Sequence, residues 1–384
     1  MVCLPPSSHW RVPREVIAWL KDAAHLVHSG PRVSVRRWEG PEWSVVYVDT
    51  DNTSSELELR HLLFAESPVT ASTERVFLCR LPGVVRTHVG LGRLVVCDLN
   101  RLFTWRFAGA SCVRMFPWMR AVLDVSAPIG TIIDRFTNSR RRELARVEKL
   151  DFAYGESRDP AEFDRFYREM HLPFIAERFG ERARLRPMAD QRRFFLERGE
   201  LLWVKHQDSP VAAVLGTRRR YSKTFCALRL GLDTDREHLV RRDAITAMYW
   251  HIINWSRARH LHFVDFGRAP ARLSDGLFLY KHRWGIRFER DRTFHTMWTF
   301  AWKELPEGLV RRLNDLAFVA EAGRERRCAV FSAGPTAGLS PEEIALRRKI
   351  IAQAGLDGFL QLGGPASGLD GSAPGSSSAD TYAE

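Results

Sequence analysis

The stretch ELLWVKHQDSPVAAVLGTRRRYSKTFCALRLGLD, Glu200 to Asp233, decides the fold. It reads as three strands joined by a Gln-Asp-Ser-Pro turn and an Arg-Tyr-Ser-Lys turn. Connections that short make sequence neighbours antiparallel neighbours in a sheet. Downstream, HLVRRDAITAMYWHIINWSRARH reads as a long helix with Ile245, Met248, Tyr249 and Ile252 on one face. That helix runs into the apolar strand LHFVDFG, followed by a helix and a further strand. An antiparallel meander followed by helix, strand, helix and strand is a mixed α/β pattern, not a doubly wound parallel sheet.

The pattern extends upstream. TNSRRRELARVEKL is a basic helix, and DPAEFDRFYREM opens with Asp159 as N-cap, Pro160 in the first position and Glu162 completing a capping box. Phe163, Phe166, Tyr167 and Met170 then form a helical core stripe. Before this unit, PREVIAWLKDAAHLVHSG reads as a helix, RVSVRRWEGPEWSVVYVD as two strands, and ERVFLCRLPGVVRTHVGLGRLVVCDLN as further short strands broken by glycine. Beyond it the chain reads as helical from Pro306 to Ala322, and again in the helix capped by Ser340. The expected domains are an N-terminal α/β unit over 1–125, a second unit over 126–302, a helical extension over 303–362 and a disordered tail over 363–384.

Composition narrows the function. The 384 residues are 45% hydrophobic and 27% charged, as in globular proteins. No apolar run spans a bilayer, and the first residues do not read as a signal peptide. Six scattered cysteines without a CxxC pair imply reduced thiols and a cytoplasmic location. The net charge of +12 favours an anionic partner: a phosphate-bearing cofactor, a nucleotide-linked substrate or RNA. Arginine supplies most of it, 51 residues against seven lysines. There is no Walker loop, no HExxH and no metal spacing among the histidines. GLGRLVV lacks the third glycine of a dinucleotide fingerprint and reads as a hairpin turn.

The stretch DFGRAPARLSDGLFLYKHRWG, Asp265 to Gly285, carries the chemistry. Together with SRRRELARVEKL, FDRFYREMHLPF and the ITAMYWHIINWSRARHLHFVDFGRAP helix-strand, it resembles the Gcn5-related N-acetyltransferase (GNAT) superfamily. Within it the likeness is to the FemAB-like and cellulose-biosynthesis (CelD-like) branch, over roughly Arg140 to Arg290. The resemblance implies a GNAT-like C-terminal domain beside a smaller N-terminal unit that is itself a degenerate copy. It also implies transfer of an acyl or aminoacyl group, from acyl-CoA or aminoacyl-tRNA, to an amine of a small-molecule or cell-envelope precursor. No metal is implied. Lys281 matches the lysine that lies near the transferred group, where a cation stabilises an oxyanion; losing such a donor costs about 3 kcal/mol. Asp265, ending the strand, and Asp275, in the Asp-Gly turn, are the candidate bases.

One departure stands out. Acetyl-CoA members open the long helix with a glycine-rich turn that holds pyrophosphate. Here no glycine lies between Gly231 and Gly267, and the helix opens with RRDA. Asp243 would repel a phosphate there, which Arg241 and Arg242 would offset, with Arg268 as a further anion ligand. The alternative is a non-catalytic GNAT-fold binding or scaffold protein lacking the cofactor turn. The Gly/Ser/Pro-rich tail cannot bury enough apolar surface to offset its ordering. A chain ending at Leu362 should therefore keep the full melting temperature in calorimetry; a drop of several degrees would show that the tail packs.

Overall fold

The computed structural model describes residues 32–50, 53–65, 67, 69–100, 111–180, 185–235, 238–291, 296–331 and 339–362. The helix expected over 13–30 and the tail from Gly363 lie outside the described residues. In chain order the first strands are β1 (Arg32–Glu39), β2 (Ser44–Asp49), β3 (Thr70–Phe77), β4 (Leu94–Asn100), β5 (Ser111–Met115), β6 (Trp118–Asp124), β7 (Phe152–Ser157) and β8 (Glu200–His206). They are followed by β9 (Ser209–Arg219), β10 (Thr224–Leu232), β11 (Phe263–Pro270), β12 (Arg287–Arg290), β13 (Thr296–Trp302), β14 (Val319–Ala322), β15 (Glu325–Phe331) and β16 (Phe359–Leu362).

These strands make two mixed sheets. One runs β16-β15-β14-β5-β13-β4-β2-β1-β3, the other β12-β6-β11-β10-β9-β8-β7. The three strands read in Glu200–Asp233 form the β8-β9-β10 meander in antiparallel register. Their apolar runs are continuous because both faces are covered. Leu202 and Val204 face the core under the long helix His238–Ala258, while Leu201 and Trp203 face the aromatic cluster on the other side. The stripe Phe163, Phe166, Tyr167 and Met170 is fully packed in that second cluster. Asp159 caps its helix through the Ala161 amide. Glu162 accepts from the Trp203 indole rather than closing a capping box. The segment Phe166–His171 is wound as a π-helix before Leu172–Phe179 continues as α-helix.

Several expectations change. Leu81–Gly90 is a helix, and Leu91–Arg93 joins it to β4, so GLGRLVV is a helix-to-strand connection and not a hairpin. The residues 303–362 are not purely helical: helices Glu307–Leu316 and Pro341–Ala354 alternate with β14, β15 and β16, which extend the first sheet. β6 pairs with β11 in the second sheet although it precedes residue 126. β13 pairs with β4 and β5 in the first although it precedes residue 303. An apolar alternation identifies a strand; only the tertiary pairing selects its sheet. Trp298 and Phe300 pack into the core of the first sheet, and this places β13 there. Among the described residues, no helix is long and apolar enough to cross a membrane.

Gly285 follows the helix Gly276–His282 and is under two constraints. Its φ is +64°, and a Cβ there would lie 2.6 Å from Arg135 Cβ and 2.8 Å from the Arg135 carbonyl oxygen. Gly285→Ala combines left-handed strain, worth about 1–3 kcal/mol, with a backbone clash. We expect a melting temperature lower by several degrees; an unchanged one would show that the Arg135 segment moves aside freely.

Candidate functional site

The second sheet contains one parallel pair, β10 with β11, and it is short. Only Thr224↔Phe263, Phe225↔Val264 and Cys226↔Asp265 are in register. The strands are nine and eight residues long, so most of each runs on unpaired with the other. The parallel pair β2–β4 of the first sheet shows the contrast, staying in register from Val45↔Leu94 to Asp49↔Asp98. Divergence begins where both strands are irregular. β10 shifts register against β9 between Ala227 and Arg229, and β11 shifts against β6 between Asp265 and Arg268. Gly267 sits in that second irregularity with φ +75°, and a Cβ there would face the Ala227 carbonyl at 3.6 Å. The sheet is split open from this point.

Lys281 holds one side of the split. It lies on the helix Gly276–His282, which returns over β11, and its Nζ donates to the carbonyls of Phe266 at 2.8 Å and Arg268 at 2.7 Å. A lysine near the end of a helix ordinarily keeps its head in water, but this one is 3% exposed. Burial pushes its pKa down to about 7, with the charges of Asp265 and Asp275 opposing the fall and Arg178 adding to it. The lysine therefore braces the β11 irregularity through two main-chain contacts. Its neighbours Phe278, Trp284 and Phe288 are buried in the core.

The other candidates divide. Asp265 is buried beside the split, accepting from Arg120 Nε at 2.8 Å and from the Gly267 amide at 3.0 Å. It is thus near Lys281, and its charge helps push the neighbouring Cys226 thiol up to about 11, after burial itself. Asp275 is the N-cap of the Lys281 helix, accepting from the Leu277 and Phe278 amides, and it pairs with Arg272 at 3.1 Å. Arg268 pairs with Asp291. Arg241 pairs with Glu177 at 2.6 Å. Arg242 lies 3.8 Å from Asp243, whose main partner is Arg146 at 2.5 Å. Asp243 is therefore turned toward the helix Asn138–Val147 and neutralised there, and the repulsion expected of it toward a phosphate is largely cancelled. Among the described residues, no group of three or more His, Cys, Asp or Glu is placed to hold a metal ion.

Two features escaped the sequence. Arg140, on the segment read as a basic helix, is fully buried. Its guanidinium lies 4.5 Å from the Tyr280 ring centroid and 4.7 Å from that of Trp284, and it donates to Glu143 and to Thr246 at 2.9 Å. The aromatic residues flanking Lys281 are thus a cation–π seat that ties this helix to two others. The second feature is His171 with Arg229, beside the split. His171 lies just past the stripe that ends at Met170, and Arg229 is one arginine among 51, so neither carried a signal.

The fold around the split is that of a mixed α/β domain. Residues 135–282 match the family described as Acetyltransferase (GNAT) domain, and that stretch is a GNAT domain. No curated protein matches the chain. Similar solved structures include FemX, at 10% identity and TM-score 0.39, covering 70% of this chain and 83% of that one. They include L-PGS from Bacillus licheniformis, at 12% and 0.33, covering 79% and 97%. A GCN5-related N-acetyltransferase from Kribbella flavida matches at 13% and 0.27, covering 76% and 64%. The assignment of residues 135–282 rests on the family match.

The Lys281 environment gives a pH dependence. A free lysine titrates near 10.4, and the folded one near 7. Between those values the unfolded chain binds a proton that the folded chain does not, so this group makes stability rise with pH. Lys281→Met loses the two carbonyl contacts and has nothing to titrate. In urea unfolding between pH 7 and pH 10, the wild type should gain stability relative to the mutant as pH rises. A constant difference would mean that the buried amine keeps its charge.

Proposed function

We propose that the protein is an N-acyltransferase that seats its donor in the split between β10 and β11 and transfers an acyl or aminoacyl group to an amine. The observation that supports this most directly is the three-residue parallel pairing that opens at Gly267. Past Ala227 the edge of β10 is not covered by β11, and its main chain offers hydrogen bonds to an extended amide-bearing chain, much as an added strand would. The donor is an acyl-CoA or an aminoacyl-tRNA, and the acceptor is an amine of a small-molecule or cell-envelope precursor. Arg242, half exposed and only loosely paired, is the better phosphate ligand at the helix start; Arg241 must first release Glu177.

In this reading Lys281 acts by position. Its Nζ is committed to β11 carbonyls, so it fixes the irregularity against which the acyl carbonyl rests. Asp275 is committed to its cap, which leaves Asp265 as the carboxylate beside the split. Main-chain N–H groups aimed at a developing oxyanion are worth several kcal/mol in a site shielded from water.

The test is a thermal-shift screen with acetyl-CoA, longer acyl-CoAs and aminoacyl-tRNA. A donor that binds only the folded chain stabilises it by about 2.7 kcal/mol at a hundredfold excess over its Kd. Arg242→Gln should weaken that binding several-fold in a titration. If no donor shifts the melting temperature, the non-catalytic scaffold is the correct reading.

A further inference from the structure

Beside the split lies a cleft of about 180 Å³. Its walls are apolar, from Phe174, Ile175, Leu185 and Leu228, and its two polar side chains are His171 and Arg229. Both belong to the edge of β10 that β11 has left. Arg229 is on that strand, two residues past Ala227. The His171 ring comes down from the π-helical segment to the Leu230 carbonyl, 2.8 Å from Nδ1.

The two groups differ in what they lack. Arg229 donates to the Leu228 carbonyl at 2.8 Å but has no carboxylate partner among the described residues. Its neighbour Arg186 adds repulsion, and burial together with that repulsion disfavours its charge. A cation in this state gains strongly from an incoming anion, and a guanidinium fork matches a carboxylate. At His171 the partner is a carbonyl, which only accepts, so Nδ1 carries the proton and Nε2 of the neutral ring carries the lone pair. Nε2 has no hydrogen-bond partner among the described residues. Burial, aided by Arg229, pushes the pKa of His171 below its ordinary value, which keeps the ring neutral. The ring is held in place by stacking on Phe166 at 5.8 Å.

We propose that this cleft binds the acceptor, a small amine that also carries a carboxylate and an apolar side chain, with Arg229 pairing the carboxylate and His171 Nε2 accepting a hydrogen bond from the amine. The chemical step rests on the acyl-transfer reading; the binding does not. In that step the amine nitrogen bonds to the acyl carbon of a thioester or ester donor. The acyl–sulfur or acyl–oxygen bond breaks with its electron pair leaving on the sulfur or oxygen. The proton lost by the amine goes to His171 Nε2 and from there to the leaving group or water.

The experiment uses the full chain without donor, so that failure of the donor reading does not affect it. Calorimetric titration at pH 8 compares leucine, isopentylamine (leucine without its carboxylate) and 4-methylpentanoate (leucine without its amine). The wild type should bind leucine at least tenfold more tightly than either relative. Arg229→Met should abolish the preference over isopentylamine and keep that over 4-methylpentanoate. His171→Asn, which retains a donor for the Leu230 carbonyl, should do the reverse; His171→Gln serves if the first variant melts early. Equal binding of all three probes by the wild type overturns the proposal, as does an Arg229→Met protein that still prefers leucine over isopentylamine. Loss of both preferences in either folded variant also overturns it, because it would make the two residues structural supports of the cleft and not separate readers of two groups.

Discussion

Two hydrogen bonds from one buried amine organise the second sheet. Lys281 Nζ bridges the Phe266 and Arg268 carbonyls, on either side of Gly267, and so fixes β11 in the conformation that carries it away from β10. A buried polar group without partners costs several kcal/mol, so the carbonyls and the amine need one another. Remove the lysine and two carbonyls face an apolar interior. The helix that bears it is capped by Asp275 at one end and turned by Gly285 at the other. It is pinned laterally by Arg140 between Tyr280 and Trp284. Each residue of DGLFLYKHRWG that looked like a separate motif thus contributes to one brace.

The brace matters because it keeps a sheet open. Parallel strands normally stay in register, as β2 and β4 do in the other half of the molecule. Splitting β10 from β11 exposes main-chain groups in the middle of a domain, a costly arrangement that persists only where something recovers the cost. Part of the recovery is internal: His171 takes the Leu230 carbonyl and Asp265 takes the Gly267 amide. The rest of the uncovered edge is what the proposed donor would satisfy.

The charge of the chain is distributed to the same effect. A net charge of +12 suggests a broad cationic surface, yet two of the three arginines named as anion ligands are paired, Arg241 with Glu177 and Arg268 with Asp291, and only Arg242 is loosely held; Arg146 is likewise paired, with Asp243. Their fields are largely local and screened. Arg229 differs because it is partly desolvated and has no carboxylate partner among the described residues, a setting in which a cation gains from an incoming anion.

Local rules were sufficient wherever the signal was local. The β8-β9-β10 meander followed from apolar runs and short turns, the Asp159 and Ser340 caps from side chains next to orphan amides, and the aromatic stripe at Phe163 from its spacing. The GNAT resemblance was also visible in the residues themselves. Tertiary structure decided the rest. It assigned β6 and β13 to their sheets, turned an expected helical extension into part of the first sheet, and buried Arg140 and Lys281. Only folding brought His171 to the edge of β10, since the two are 59 residues from each other along the chain. Capping and alternation are properties of a few consecutive residues, whereas burial of a charge and the choice of a strand's partner depend on groups that the sequence places far apart.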